Sequence, residues 1–344
     1  MKRVAVALSG GLDSSVTAFL LKNAGYDIVG LTGKMINSES AETIITNAKQ
    51  VADFLRIKHY VLDTSKDFQT NVIKYFNDSY KDGKTPNPCI MCNKFIKWGT
   101  LFDYAINELN VDFIATGHYA NIRKEQEYYK LYPAKDTKKD QLYFLFLLNQ
   151  KQLSKTLFPL FNYEKSEIRQ IALDNNLPTK SSKESQDICF IQKPNTTKKY
   201  LLEHIQANQG NFIDISTGKI VGIHNGYFQY TIGQRKGIGI AAPEPLYVVD
   251  INAKENIVYV GNKQQLEKTE LTLDKFNCSY PIKDREFTAL CKIRYNMQAT
   301  EVIVNINESK TTIKFISPVY GVAKGQACVL YDINDGHLIG GGFI

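Results

Sequence analysis

Val4-Ala5-Val6-Ala7-Leu8-Ser9-Gly10-Gly11-Leu12-Asp13-Ser14 carries an apolar run straight into a glycine turn, and the helical stretch Ser15 to Ala24 follows it. A strand therefore turns through glycines into a helix. Glycines let backbone N–H groups close on an anion, and a helix start adds free donors and the positive end of a dipole. Pyrophosphate is the natural ligand of such a cradle. The P-loop pattern, G-x-x-x-x-G-K followed by Ser or Thr, sets a lysine on the β and γ phosphates. The loop here has none, which argues against γ-phosphoryl transfer. A tight turn whose glycines serve only packing is the bland alternative, and the clustering of Ser9, Asp13, Ser14 and Ser15 opposes it. Asp13 suits either a Mg²⁺ contact or a cap on the helix start.

Outward from this turn, strand and helix alternate. Gly25 stops the first helix, Ile28 to Leu31 reads as a strand, Ala41 to Leu55 as a helix and Tyr60 to Leu62 as a third strand. A helix from about Phe68 to Tyr80, a Pro/Gly loop at Gly83 to Pro88, a helix over Lys94 to Leu109 and a strand at Phe113 to Ala115 continue the pattern. Such alternation implies an α/β fold with a parallel sheet, whose ligands bind at the carboxyl ends of the strands. Helices are expected at Gln141 to Leu148, Ser166 to Leu173 and Lys198 to Ala207. From Gly210 onward, short alternating runs such as Tyr247 to Asp250, Ile257 to Val260 and Thr311 to Ile316 predict two small, mostly β, barrel-like units. The expected division is 1–197, 198–263 and 264–344.

A chain of 344 residues exceeds what one core usually supports, and 43% hydrophobic with 22% charged residues is globular composition. The start shows no signal-peptide pattern and no run is long enough to span a bilayer, so a cytoplasmic protein without a membrane partner is expected. A net charge of +7 is compatible with a polyanionic partner and also with a plain solubility setting.

Six cysteines in so long a chain do not make a disulfide scaffold. Cys89 and Cys92 lie in Thr85-Pro86-Asn87-Pro88-Cys89-Ile90-Met91-Cys92-Asn93-Lys94, a proline-fixed loop running into a helix. With Cys92 near the helix N-terminus and Lys94 and Lys97 close by, its thiol pKa is expected to fall. Cys189 follows in Ser185-Gln186-Asp187-Ile188-Cys189-Phe190-Ile191. A structural zinc site needs a second ligand pair, and Cys189 has no Cys or His within four residues. Cys278, Cys291 and Cys328 sit in β-type runs and read as ordinary buried thiols.

Together these segments carry a resemblance. Ser-Gly-Gly-x-Asp-Ser resembles the loop of the N-type ATP pyrophosphatases (adenine nucleotide α-hydrolase-like), which split ATP into AMP and pyrophosphate. The whole chain resembles the tRNA-specific 2-thiouridylases, which replace the C2 oxygen of the wobble uridine with sulfur. The matching pieces are that loop, Thr85 to Pro88 with Cys92 to Lys94, Ala115 to Tyr119, Lys139 to Gln141, Ile188 to Ile191, Tyr230 to Gly237 and Gly340 to Gly342. The resemblance implies ATP on Ala7, Leu8, Ser9, Gly10, Gly11, Leu12, Asp13 and Ser14, with Met35 and Gly117 at the adenine. It implies the target base at Asn87, Pro88 and Cys89, and tRNA contacts from His118, Lys139, Asp140, Gln141, Arg294, Tyr295 and Gln326. Cys92 becomes the nucleophile and Cys189 the persulfide carrier, the two closing a transient disulfide. ATP and Mg²⁺ are the implied cofactors, and a sulfur-carrier protein or cysteine desulfurase supplies the sulfur.

One position departs from the family. Where an aspartate is usual, this chain has Cys89, so three thiols could instead ligate an iron–sulfur cluster with one open iron. A lone histidine such as His118 is also often only a hydrogen-bonded loop residue. Gln234 to Gly237 and Lys292 to Tyr295 mix basic and aromatic residues as RNA surfaces do, and as charged barrel turns also do. The competing functions are a non-thiolating pyrophosphate-releasing ligase, which has no need of Cys92 and Cys189, a 4-thiouridine or 2-thiocytidine synthase, and an RNA-binding protein with a spent ATP site.

Overall fold

The computed structural model describes residues 1–182, 188–191, 194–273, 275–307 and 310–344. Ser185, Gln186 and Asp187, which precede Cys189, lie outside the described residues. Arg3–Ala7 (β1), Asp27–Lys34 (β2), His59–Asp63 (β3) and Phe113–Ala115 (β4) pair in parallel, joined after the hairpin Asn121–Glu125 (β5) and Tyr128–Tyr132 (β6) by Thr156–Leu157 (β7). The order is β3-β2-β1-β4-β7. From β1 the sheet extends one way through β2 and the other way through β4, so the crevice opens outside the carboxyl ends of β1 and β4. The Ser9 to Ser14 turn leaves β1 there, and Thr116-Gly117-His118 leaves β4 beside it. β1 is buried on both faces, as a central parallel strand must be, with Val4, Ala5 and Val6 fully covered.

The helix after the turn, Leu12–Asn23 (α1), begins at Leu12, ahead of the expected Ser15. The second helix, Glu39–Phe54 (α2), is capped by the Ser38 hydroxyl on the Ala41 N–H. The next long helix, 65–81, and the one after it, 88–107, each pass through a wide-turn π segment, Gln69–Ile73 and Cys92–Leu101. Such widened turns collect at functional sites.

Two expectations fail for physical reasons. The cysteine helix begins at Pro88 and not at Lys94, because Asn87 Oδ1 accepts from the Cys89 N–H at 3.1 Å and Pro88 takes a first-turn position that needs no donor. The expected helix at Gln141 to Leu148 is only a short turn at Leu142–Phe144. There Leu142, Tyr143, Leu145, Phe146 and Leu148 are all buried, and bonds to residues far away in the chain hold the segment instead. Asn93 Nδ2 donates to Phe144 O at 3.1 Å, Asn277 Nδ2 donates to Phe146 O at 2.5 Å, and Tyr143 OH donates to Ala327 O at 2.9 Å. The segment is a seam between the first unit and the last.

The helix Thr197–His204 packs Tyr200 and Leu201 into the core that also holds Phe68, Phe76, Cys92 and Phe190. Beyond it, Gly210–Asp214 (β8), Ile220–His224 (β9), Tyr247–Asn252 (β10) and Ile257–Gly261 (β11) form a four-stranded sheet. The remaining strands, Glu267–Leu273 (β12), Asn277–Cys278 (β13), Glu286–Lys292 (β14), Thr300–Ile306 (β15), Thr311–Tyr320 (β16), Ala327–Tyr331 (β17) and Leu338–Phe343 (β18), form a seven-stranded antiparallel sheet around a core of its own. Cys291 and Cys328 are fully buried in that core with sulfurs 3.3 Å apart. Cys278 is half-buried. No described helix is long and apolar enough to cross a membrane.

Candidate functional site

The turn after β1 is tied by hydroxyls. Ser14 Oγ donates to Gly11 O at 3.1 Å and accepts from the Ser9 N–H at 3.2 Å, while Ser9 Oγ lies 3.1 Å from Ser14 Oγ. Gly117 presses on the start of α1. A Cβ there would meet Asp13 C and Ser14 N at 2.9 Å, so only glycine allows β4 to deliver its loop to the cradle. Leu8, Gly10, Leu12 and Ser14 are buried, Ser9 is exposed, and Ala7, Gly11 and Asp13 are half-exposed, as is Met35 past the end of β2.

Asp13 does not cap α1, because the N-cap residue is Gly11. Its carboxylate instead accepts from Tyr119 OH at 3.0 Å and from Lys165 Nζ at 2.6 and 2.7 Å. The loop that lacks its own lysine thus receives one from the helix Lys165–Asp174. Sequence reasoning missed Lys165. Its only local signal is an N-terminal position on a helix, and its meaning comes from a partner 152 residues away.

The three thiols form the second half of the site. Cys89 and Cys189 are exposed and Cys92 is buried. Burial raises the thiol of Cys92 to about 12, with the Lys97 ammonium pulling the other way and the nearby Cys189 and Cys89 sulfurs adding to the rise. Although both reach the surface, crowding by the surrounding protein strips water from the Cys189 and Cys89 thiols, raising Cys189 to about 11 and raising Cys89, with Lys97 opposing both. The expected lowering at Cys92 is therefore corrected. The helix starts at Pro88, so Cys89 holds the dipole position and Cys92 lies a turn deeper in the core. Among the described residues, Lys97 is the cation whose charge acts on all three thiols, and Lys94 does not enter.

Lys97 also links the two halves. Its Nζ lies 3.3 Å from His118 Nε2, so that nitrogen accepts, and Nδ1 donates to Thr116 Oγ1 at 2.7 Å. His118 is only 7% exposed, and burial holds its pKa well below the usual value. Both ring nitrogens are engaged within the protein, which leaves none for RNA in this arrangement. The consecutive residues Gly117, His118 and Tyr119 thus contact the cradle, the thiol cation and Asp13 in turn.

The other residues implied for tRNA are mostly occupied as well. Gln141 Oε1 accepts from the Tyr119 N–H at 3.0 Å, Gln326 Nε2 donates to Thr85 O at 2.7 Å, and the Tyr295 ring packs tilted against Phe144 with centroids 4.5 Å apart. Arg294 Nη2 donates to Ile232 O at 2.7 Å and Gly321 O at 2.5 Å. The backbone N–H of Lys139 bonds Asp136 in a turn, at Oδ1 and at the carbonyl. Asp140 accepts from the Ala134 and Leu142 N–H groups, each at 3.2 Å, and burial raises it to about 6.

Asp140 gives a pH prediction. The folded protein binds its proton more tightly than the unfolded chain, whose carboxyl titrates near 3.8, so the neutral form favours folding. Stability from this group is present below pH 3.8 and is lost as pH rises through about 6. In Asp140→Asn, the fall in unfolding midpoint across that window should shrink. An unchanged pH profile would show that Asp140 does not titrate there.

Comparisons with known proteins agree along the chain. Residues 2–193 match the tRNA methyl transferase HUP domain, 198–262 the tRNA methyl transferase PRC-barrel domain and 268–344 the aminomethyltransferase beta-barrel domain. The chain is 41% identical to a tRNA-specific 2-thiouridylase of Thermoanaerobacter sp., over 99% of this chain and 97% of that one. It is 40% identical to a tRNA-specific 2-thiouridylase of Nostoc sp., over 100% and 99%. A solved 4-thiouridine synthetase–RNA complex with bound ATP is similar at 19% identity and a TM-score of 0.39, covering 55% of this chain and 44% of that one.

Proposed function

Because this chain belongs to the tRNA-specific 2-thiouridylase family, we propose that it thiolates the wobble uridine where the Ser9 to Ser14 turn meets Cys89, Cys92 and Cys189. It is a tRNA sulfurtransferase, and its reaction replaces the C2 oxygen of that uridine with sulfur. The observation that carries the site assignment is the run Gly117-His118-Tyr119. It ties the anion cradle to the thiol cation through contacts at Asp13, Ser14 and Lys97. Methyl transfer, which two of the matched domain descriptions name, has no use for three thiols under the charge of one lysine.

A C2 oxygen leaves poorly until it is esterified. On this reading, ATP lies with its phosphates on the N–H groups of Ser9 to Ser14 and its adenine between Met35 and Gly117. The C2 oxygen bonds to the α phosphorus as the N3 proton leaves, and pyrophosphate departs with the electron pair of the broken bond. Lys165 stands where that pyrophosphate charge develops. Asp13 has the carboxylate a Mg²⁺ ion asks for, and such an ion would share or displace Lys165 there. It would offset phosphate charge.

Sulfur enters from a persulfide on Cys189, loaded by a sulfane-sulfur donor such as a sulfur-carrier protein or cysteine desulfurase. Its terminal sulfur bonds to C2, and AMP leaves with the C–O electron pair. The Cys92 sulfur then attacks Sγ of Cys189 as its thiol proton is released, a loss that its raised pKa couples to the attack. A disulfide forms, the pair from the cleaved S–S bond closes the C2 thiocarbonyl, and N3 is reprotonated. An external dithiol reduces the disulfide. Asn87, Pro88 and Cys89 border the base and Lys139 meets the tRNA backbone. The chain divides into a catalytic unit, 1–197, and two β units, 198–263 and 264–344.

Cys89 in place of the usual aspartate favours a second reading of the same thiols. The Cys89 and Cys189 sulfurs both act on the Cys92 thiol, so three thiols are gathered where a 4Fe–4S cluster would need its ligands. Such a cluster would offer its fourth iron to sulfide.

The test of the function is a product analysis with unmodified tRNA, MgATP and a persulfide donor. AMP, pyrophosphate and 2-thiouridine at the wobble position are expected in equal amounts. ADP and phosphate would overturn the adenylylation step.

A further inference from the structure

One short loop reaches Asp13 by two separate routes. The segment Lys135 to Gln141 follows β6 and carries Lys135, Lys138 and Lys139, of which Lys135 and Lys138 are exposed. Asp140 closes its base by accepting from the Ala134 and Leu142 N–H groups.

The first route runs through Asp136, whose two carboxylate oxygens serve different parts of the chain. Oδ1 accepts from the Lys138 and Lys139 N–H groups at 3.1 and 3.2 Å, which folds the basic loop back on itself. Oδ2 accepts from the backbone N–H of Lys165 at 3.0 Å. Lys165 opens the helix Lys165–Asp174, and its Nζ holds both oxygens of Asp13. Lys135 fastens the same region, its N–H donating to Phe161 O at 2.8 Å and its Nζ pairing with Glu167 at 2.9 Å. That ion pair is exposed and contributes little, so the register of loop and helix rests on the bonds to backbone.

The second route runs through Gln141. Its N–H donates to Tyr119 O at 2.9 Å and its Oε1 accepts from the Tyr119 N–H at 3.0 Å, so the two residues are clamped as a pair. Tyr119 is buried, and its hydroxyl donates to Asp13 Oδ1 at 3.0 Å. The two ends of one basic loop therefore fix the two side chains, Lys165 and Tyr119, that hold the Asp13 carboxylate beside the anion cradle.

We propose that Asp136 is a positioning residue that couples the two substrates, because the loop it folds receives the tRNA phosphate backbone and, once docked, sets Lys165 and Tyr119 on Asp13 for ATP. This rests on the thiouridylase reading above and adds to it the control of the ATP half by tRNA. The element with two arrangements is the loop, docked on Lys165 and Tyr119 or released from them. A phosphate backbone favours the docked form, in which Lys138 and Lys139 are already folded onto Asp136 and their ordering costs nothing further. Nucleotide favours the same form, in which the Lys165 ammonium is held over the cradle. Two ligands that favour one form raise each other's affinity by the same factor. ATP is then held in its reactive arrangement chiefly when a uridine is present to take the adenylyl group.

The test is that factor, read as the affinity of the full chain for unmodified tRNA with and without saturating α,β-methylene-ATP and Mg²⁺. In the wild type the nucleotide should tighten tRNA binding by about 5-fold or more. In D136A the factor should fall to about one. D136N should behave like D136A, since an amide has one acceptor oxygen where the carboxylate uses two. K165A keeps the backbone N–H that meets Asp136 but loses the ammonium on Asp13, and it should lose the factor as well. A wild-type factor of one overturns the proposal, as does a wild-type factor kept by D136A, D136N or K165A. Failure of the wild type to bind or thiolate tRNA would instead overturn the reading on which the proposal rests.

Discussion

Cys92→Ser and Cys189→Ser should each cut formation of 2-thiouridine by about 10³-fold or more, because the two sulfurs act as one unit and neither step can be completed by oxygen. The two losses differ in kind. Cys189→Ser should accept no sulfur from a persulfide donor, visible as the absence of a sulfur adduct in the intact mass. Cys92→Ser should load Cys189 normally and then stall before product release. Cys89→Ser decides between the two sulfur chemistries, since a persulfide relay does not use Cys89 and should retain most activity without it. Iron and sulfide in stoichiometric amount in anaerobically purified protein, both lost together with activity in Cys89→Ser, would replace the relay by the cluster. Trp98, the only tryptophan, is buried on the cysteine helix with its indole N–H donating to Thr156 Oγ1 at 2.8 Å, so its fluorescence reports whether each variant keeps that helix in place.

Lys165→Ala is the second large effect. Removing the ammonium that faces Asp13 should lower AMP formation by about 10²–10³-fold, the usual cost of deleting one preorganised charge stabiliser, while tRNA affinity is retained. Asp13→Ala should do the same. Lys165 is largely buried, with 12% of its side chain exposed, and either deletion leaves an uncompensated partner, so unfolding midpoints should be measured alongside. Lys165→Arg keeps the charge and should recover part of the rate. If Lys165→Ala turned over at the wild-type rate, Lys165 would be a structural counter-ion of Asp13 and nothing more.

The parallel sheet was legible because its signals are local. The apolar run Val4 to Leu8 and the glycines after it specify a buried strand and a turn within about ten residues, and β2, β3 and β4 declare themselves in the same way. The helix expected at Gln141 to Leu148 fails because its buried residues are satisfied by Asn93, Asn277 and Ala327, far away in the chain. No periodicity within the segment could report those partners. The cysteine helix was placed six residues late for a different reason. The Asn87 cap and first-turn Pro88 are local signals, but the loop's prolines also read as an extended segment.

By itself, the sequence determined the strand–glycine–helix cradle, the three cysteines of the α/β region as distinct from those of the β half, and the family to which the chain belongs. These rest on residue type and short spacing, which the chain carries regardless of how it packs. Tertiary structure alone decided the charges and the partners. It brought Lys165 to Asp13, set the Lys97 charge on all three thiols, enclosed His118, raised Cys92 where the helix dipole was expected to lower it, and spent Arg294 on two backbone carbonyls. The physical reason is that desolvation and Coulomb interaction depend on distance in space and on exclusion of water, and neither quantity is written in the separation of residues along a chain.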